Sequence, residues 1–598
     1  MRRTGIFRFC SLACGTLITL ALLWVTVQRS YNYYSAADLL FLKILAALVP
    51  AGFLAALFGI RRIRWNILDF LVLGWCTYIF YNWWFLSDSP SGRNFVSCAE
   101  MFFLYCALRL TLQGDRLSGK LLVAGLAVFG TFQSLLGLTQ LYGLTPAHHW
   151  RFRITGTLFN PGPYSIYLAM VICICGIYWW RRRALGLFRR SKPWRKSCAA
   201  LLRSLCVLAA LCCAVALPAT FSRAAFVALA AVLLVALWRN RMKGGARALR
   251  WAIPLLLAGA AGLYFLKRGS ADGRVLIWLV SSQAIAARPV TGHGVGSFLG
   301  VYGAQQADFF ARHPGSAFVD VAGAPEYPFN ELLGVGVEQG VIGMLFFAAI
   351  AVLSFTRLLK RRDELAYGWL ALLICSLASY PFALLPFRVL AVLFVARAAN
   401  LERSVSGGCP QPAHAGRGGN VVAALCLCLA AGFFLPSAYS RITKKIEAVR
   451  AFRSGSPVTD GDTREWEELL SDNPRCLYDR ALALRDAGRY NDSNAALRMG
   501  MRASSDNMFP LVMGDNYADL GAVELAEQSY RTAHWMAPRK LYPLHRLLQL
   551  YERNGMEEKA RAVAARIVSA RPRIRSVATA DMQEYARNFL AGADSSGK

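Results

Sequence analysis

Apolar residues run along most of this chain in unbroken blocks instead of alternating with polar ones. From residue 9 to residue 439 apolar stretches of about 20 residues recur between short polar loops, and about 20 apolar residues is what an α-helix needs to cross a bilayer. The blocks fall near 9–27, 39–60, 67–86, 95–112, 121–142, 162–180, 200–220, 224–239, 251–266, 333–355, 365–383, 385–399 and 420–439. They predict an all-α, polytopic transmembrane bundle of about thirteen spans over residues 1–439. The first block follows Arg2, Arg3 and Arg8 and has no small-residue cleavage pattern close behind it, so it reads as a retained helix and not a signal peptide. Beyond residue 440 the blocks stop, and 440–598 reads as a soluble domain.

The loops set the orientation. Arg61, Arg62 and Arg64, then Arg116 and Lys120, Arg181–Arg183 through Lys196, Arg239–Arg250, Arg357–Arg362 and the 401–419 stretch are basic. Each lies two spans from the next, which places all of them on the cytoplasmic side. The intervening loops 28–38, 87–94, 143–160 and 267–332 carry fewer basic residues per length and are predicted to face outward. The N-terminus is then inside, and an odd number of spans puts the tail outside. Two segments stand out. The outer loop 267–332 is too long to be a connector and is expected to carry function, and 401–419 is a Gly/Pro-rich linker.

Composition adds to this picture and narrows it. The chain is 56% hydrophobic and 17% charged with a net charge of +32. In a soluble protein that charge would suggest nucleic acid, but here it is concentrated in inner loops, so no nucleic-acid partner is expected. Most of the 16 cysteines lie inside apolar spans, where a thiol behaves as a small hydrophobe. The tail holds only Cys476, and no paired-cysteine metal motif appears. Within the tail, Gly488, Gly521 and Gly555 are spaced by 33 and 34 residues, while Ala526 and Ala560, and Pro538 and Pro572, are 34 apart. Glycine at a turn, alanine at a helix crossing and proline after the second helix form the tetratricopeptide pattern. The copy around Gly488 is degenerate, with Ser493 in the alanine position. Stacked repeats of this kind present a concave surface suited to a protein partner.

Charges at the edge of apolar spans are costly and are therefore functional candidates. Arg223, in TFSRAAF, sits at the outer end of a tight hairpin with no acidic residue near it in sequence, and Arg274 opens an amphipathic segment at the start of the outer loop. Arg203 reads as snorkelling toward the inner interface, and Lys43 lies a few residues inside its span. Arginine presents a planar fork that holds phosphate oxygens bidentately, so Arg223 and Arg274 together can clamp a lipid-linked diphosphate. Glu326, Asn330, Glu331 and Glu338 gather where the loop re-enters the membrane, with Gly336, Gly340 and Gly343 permitting close helix approach. His313 is a candidate general base. The glycines of GHGVG (292–296) lack the strand of a dinucleotide-binding unit, which excludes that reading.

The segments TGTLFNPGPYSIYLAM (155–170, with Asn160), SRAAFVALAAVLL (222–234), GRVLIW with ARPVTGHGVGSF (273–298) and PFNELLGVGVEQGVIGMLFF (328–347) resemble the O-antigen ligase and O-antigen polymerase superfamily, particularly members with a tetratricopeptide tail. The resemblance implies an inverting membrane glycosyltransferase that uses neither metal nor cofactor. Such an enzyme moves a glycan from an undecaprenyl diphosphate carrier to an acceptor hydroxyl at the outer face of the bacterial inner membrane. It implies that Arg223 and Arg274 hold the diphosphate; beside them Asn330 and Glu331 are the catalytic candidates, and Asn160, His313, Glu326 and Glu338 the candidate substrate-binding residues. One departure is informative. Many ligases have histidine immediately before the asparagine, where this chain has Phe329. The histidine's part in activating the acceptor cannot be carried over: either Glu331, Glu326 or His313 takes it, or the chemistry relies mainly on leaving-group stabilisation. Among the carboxylates Glu331 is the first choice and Glu338 an anchor for the loop.

Within that superfamily the acceptor is a lipid core, a second lipid-linked glycan or a protein hydroxyl, corresponding to a ligase, a polymerase or a protein O-oligosaccharyltransferase. The ligase is favoured because the tail suits a dedicated acceptor or partner. A transporter for lipid-linked glycans would predict inverted repeats with broken helices, and no such symmetry is visible in the sequence. A non-catalytic assembly protein would leave the long outer loop and its arginine unexplained.

Overall fold

The computed structural model describes residues 17, 20–28, 35–57, 65–87, 93–112, 116–184, 193–239, 268–401, 417–454, 469–572 and 575–595. Most of the span predicted over 9–27, all of that over 251–266 and most of the 401–419 linker lie outside the described residues. The remainder is helical, with no strand among the described residues.

The apolar blocks become α1 (Ala36–Leu57), α2 (Ile67–Leu86), α3 (Arg93–Thr111), α4 (Arg116–Leu141), α5 (Pro161–Ala184), α6 (Pro193–Ala216) and α7 (Arg223–Arg239). After the outer loop come α10 (Glu331–Lys360), α11 (Leu365–Ser376), α12 (Leu385–Leu401) and α13 (Arg417–Ser454). Six of these helices are long and apolar enough to cross a membrane by length and composition. The others are shorter or carry more Tyr, Trp, Asn and charge than a simple span, and several of them line the candidate site. The protein is a multi-pass membrane protein with an all-helical fold.

Helix α5 sits at the centre, with Tyr164, Tyr167 and Tyr178 fully buried, and packs against α4, α6, α7 and α11. A second group forms around α10, which packs on α2 and α12. Two buried ion pairs hold the ends of these helices that the charge pattern assigns to the inner face. Arg109 of α3 donates to Asp69 at 2.7 Å and Arg397 of α12 to Asp363 at 3.0 Å. Tyr105 also donates to Asp69 at 2.7 Å, which helps satisfy a carboxylate removed from water.

The long loop predicted over 267–332 is not extended chain. It folds into α8 (Arg268–Ala287) and α9 (Phe298–Arg312), joined by the glycine-rich turn 288–297. Helix α10 is broken at Gly340, where φ is 63° and ψ −163°, a conformation open essentially only to glycine. A broken helix inside a membrane protein must have its freed backbone groups satisfied, and here the 289–294 turn does so. The Val341 and Ile342 amides donate to the Pro289 and Val290 carbonyls at 2.8 and 3.4 Å, and the Val337 and Glu338 carbonyls accept from the His293 and Gly294 amides at 2.9 Å each. The Tyr78 hydroxyl donates to the Gln339 carbonyl at 2.7 Å. Asn82 then clasps the turn, donating to the Thr291 carbonyl at 2.8 Å and accepting from the Val295 amide at 2.7 Å.

Beyond α13, which runs without interruption from the apolar segment into the tail, the chain forms α14 (Pro474–Asp486), α15 (Tyr490–Ala503), α16 (Met508–Asp519), α17 (Val523–Met536), α18 (Tyr542–Arg553), α19 (Glu557–Ser569) and α20 (Val577–Ser595). The first six pair as three hairpins, α14 with α15, α16 with α17 and α18 with α19. Gly488, Gly521 and Gly555 stand at the hairpin turns with φ of 73°, 74° and 65°. Their surroundings are open, so the backbone conformation alone requires glycine there. Ala526 and Ala560 are fully buried at the helix crossings, and Ser493 fits the equivalent place by donating to the Ala481 carbonyl at 2.7 Å.

Gly340→Ala tests the break. A Cβ there would lie 2.3 Å from the Val290 carbonyl oxygen at a strained φ. The expected destabilisation is about 3–5 kcal/mol from strain and overpacking together. This should appear as a fall in Tm in detergent on the order of 10 °C. Gly432→Ala, where a Cβ meets open space, should leave Tm unchanged or slightly higher.

Candidate functional site

The short 3-10 turn Pro218–Thr220 ends in Phe221, whose φ of 50° swings the chain so that α7 begins at Arg223. A cation in the first turn of a helix faces the positive end of the helix dipole, which is its unfavourable end. Arg274, on α8, lies close enough for Arg223 to act on it. Burial first, and the charge of Arg223 second, pull the Arg274 guanidinium below its usual range, with Tyr380 opposing. No carboxylate stands among the groups that act on Arg274, and among the described residues neither arginine has an ion-pair partner. Two cations therefore meet at a helix N-terminus, with no carboxylate among the groups that act on Arg274.

An aromatic wall backs this pair. The Arg274 guanidinium lies 5.3 Å from the centre of the Phe329 ring, a cation–π contact. Phe329 stands edge-on to Tyr380 at 5.2 Å, and Tyr380 stacks on Tyr327 at 3.9 Å with an interplanar angle of 6°. Phe329 takes a φ of 50°, uncommon for a bulky residue. The backbone is thus turned out of its usual region at the position where the ring meets Arg274. Exposed Glu326 acts electrostatically on Tyr380, as does Arg274. Glu326 is accordingly the carboxylate that shares the arginines' neighbourhood.

Glu331 and Glu338 lie elsewhere. Both line a cavity of about 390 Å³ enclosed by Trp75, Gln339, Tyr380 and Arg388, together with apolar side chains of α2, α3, α10 and α12. Glu331 accepts from the Phe382 amide at 2.7 Å and also from the Ala383 amide, while the charges of Glu338 and Arg388 act on it. Glu338 accepts from the Phe298 amide at 3.4 Å and from the Gly296 amide, which ties α10 to the start of α9. Trp75 donates to the Gln339 side chain at 2.8 Å across the same cavity.

The remaining candidates take up backbone roles. Asn330 is the N-cap of α10, its side-chain oxygen accepting from the Leu332 and Leu333 amides at 3.1 and 3.2 Å. Asn160 caps α5 by accepting from the Gly162 amide at 2.8 Å. His313 ends α9, with Nδ1 3.0 Å from the Phe309 carbonyl. Lys43 packs 5.6 Å from the centre of the Tyr439 ring. Sequence reasoning missed Tyr327 and Tyr380, because no local pattern distinguishes an aromatic wall from core. It also missed Arg388, although a charge inside the 385–399 block is the same signal that singled out Arg223. Among the described residues no group of three or more His, Cys, Asp or Glu side chains is placed to hold a metal ion.

Residues 208–348 match the family model for O-antigen ligase. The matched region contains both arginines, the outer loop with α8 and α9, and α10 through its break. No curated protein matches the chain significantly.

The N-cap geometry predicts that Asn330→Ala costs about 1 kcal/mol, read as a fall of a few degrees in Tm. Asn330→Ser, which caps equally well, should keep wild-type Tm and wild-type activity per folded molecule. Loss of activity in the serine variant with unchanged Tm would show that the amide has a role beyond the cap.

Proposed function

We propose that this chain, which carries an O-antigen ligase domain and belongs to that superfamily of membrane glycosyltransferases, transfers a glycan from an undecaprenyl diphosphate carrier to an acceptor hydroxyl at the outer face of the membrane. The observation that carries this reading is the convergence of Arg223 and Arg274, with no carboxylate among the groups that act on Arg274 and its guanidinium over the Phe329 ring. Two half-buried like charges repel, and a bound diphosphate turns that repulsion into attraction on both sides. Arg274, pressed against Phe329, can present its fork outward to the phosphate oxygens.

The chemistry follows from that arrangement. The acceptor oxygen attacks the anomeric carbon from the face opposite the diphosphate. The new carbon–oxygen bond forms as the bond to the diphosphate breaks, and the configuration inverts. The arginines stabilise the charge that develops on the leaving diphosphate, which remains on its lipid carrier. The acceptor proton passes to a carboxylate. Glu326 suits this role better than Glu331, because it is exposed beside the arginine site while Glu331 is held by two backbone amides in the neighbouring cavity. The acceptor is a lipid core, as in a ligase, and the tail, read as tetratricopeptide-like repeats, lies on the outer side with the 267–332 loop. Its contacts with that loop support a common side.

Arg223→Ala and Arg274→Ala should each abolish transfer of a purified lipid-linked glycan while inserting normally, and Arg→Lys should recover only part of the activity because a point charge replaces a fork. Near-wild-type transfer by both alanine variants would remove the diphosphate clamp. Glu326→Gln should reduce transfer by about 10²-fold or more if it takes the proton. A larger loss in Glu331→Gln at equal folded yield would return the role to Glu331.

A further inference from the structure

Helix α9 lies across the 288–297 turn from α8, and it is covered by the tail. It packs on α15 and α17. Two glycines one turn apart make this possible. A Cβ on Gly300 would lie 2.8 Å from the Met501 carbonyl oxygen, and one on Gly303 would lie 2.9 Å from Met536 Cε and 3.2 Å from Ser505 Cα. Tail and loop therefore meet closely, with backbone against side chain.

The polar contacts across this junction all converge on one short segment. Gln306, 1% exposed, donates from one amide nitrogen to the Met536 carbonyl of the tail at 2.6 Å and to the Gly323 carbonyl at 2.9 Å, and accepts from the Tyr302 hydroxyl at 2.7 Å. Ser505 of the tail donates to the Pro325 carbonyl at 3.2 Å. Arg539 of the tail pairs with Asp320. Residues 320, 323 and 325 lead directly into Glu326, Tyr327 and Phe329. With its carbonyl at 323 held by Gln306 of α9 and that at 325 by Ser505 of the tail, this stretch enters the site already oriented, and Phe329 is delivered beneath Arg274 in its unusual backbone conformation.

We propose that the tail is a working part of the transfer site. It fixes the 319–330 segment through Gln306, Ser505 and the Asp320–Arg539 pair, and Gln306 is a positioning residue for the reaction. This rests on the reading that the arginines and the 326–331 segment form the site. A tail that only recruits a partner would not need to tie down the segment that enters the site at Asp320 and Pro325, and to hold Gln306, which bonds Gly323, between them.

The test uses the full-length chain in lipid nanodiscs, with steady-state transfer and hydrogen exchange followed in parallel. Gly303→Leu, which wedges the tail away, and Gln306→Glu, which puts a carboxylate against two carbonyls, should each raise amide exchange over 322–330. Each should lower kcat by about 10–10²-fold, as small misplacements of reacting groups do, with the donor KM within about threefold. Asp320→Arg and Arg539→Asp should each lower kcat by only about 2–5-fold, since an exposed pair contributes little, and the double exchange should restore it. Raised exchange over 322–330 with unchanged kcat overturns this proposal alone, and so does unchanged exchange in Gly303→Leu. Absence of transfer by the wild-type chain with a lipid-linked glycan donor overturns the function reading, and with it the proposal, while the exchange data still report the tail–loop contact.

Discussion

The backbone exchange at the break of α10 is the constraint on which the functional half of this molecule depends. A helix interrupted at Gly340 frees amides and carbonyls that would be costly to leave unpaired away from water. The 289–294 turn supplies partners for four of them, and Tyr78 for another. The glycines at 292 and 340 let two backbones approach within hydrogen-bonding distance, since a Cβ on Gly292 would lie 2.5 Å from the Gln339 amide nitrogen and one on Gly340 2.3 Å from the Val290 carbonyl oxygen, while one on Gly294 would lie 2.4 Å from Ser87 at the end of α2. Once that seam is closed, the outer loop cannot float. Helix α8 is held on one side of the turn and α9 on the other, and Glu338 ties the start of α9 to α10.

From the seam outward, placement of charge follows. Helix α8 carries Arg274 toward the N-terminus of α7, where Arg223 stands. The chain then returns through 319–330 to lay Phe329 under Arg274. A pair of cations at a helix N-terminus is unfavourable in itself, and a fold that maintains it stores an affinity for an anion. The adjoining cavity is mostly apolar, with Glu331 and Glu338 tied to backbone amides at its edge. A cationic site beside an apolar recess matches the two ends of an amphiphilic donor.

The tail meets the same loop from the other direction. Helix α9 is embraced by α15 and α17, so the loop is held between the membrane bundle and the helical hairpins. The Gly-x-x-Gly spacing of 300 and 303 belongs to this junction. Buried Gln306 occupies its centre and satisfies groups on both partners.

Much of the architecture was legible in the sequence, because it depends on local quantities. The length and apolarity of blocks such as 162–180 and 333–355 dictate helices, the spacing of Gly488, Gly521 and Gly555 marks hairpin turns, and the paucity of nearby acids marks Arg223 as a cation without a partner close in sequence. The match between Arg223 and Arg274 was inferred from chemistry, whereas the aromatic wall was not, since Tyr380 lies some fifty residues from Tyr327 and only packing brings the rings together. The loop glycines were recognised without their purpose, because backbone-to-backbone approach leaves no side-chain signature. The ranking of Glu331 over Glu326 rested on proximity along the chain to Asn330. Packing alone sets their surroundings: Glu331 turns inward to the Phe382 and Ala383 amides while Glu326 stays exposed beside Tyr380. Sequence by itself determined which segments are helices and where charge is scarce or isolated. Only the fold decided which distant groups share a site, because that depends on where a broken helix finds its missing hydrogen bonds.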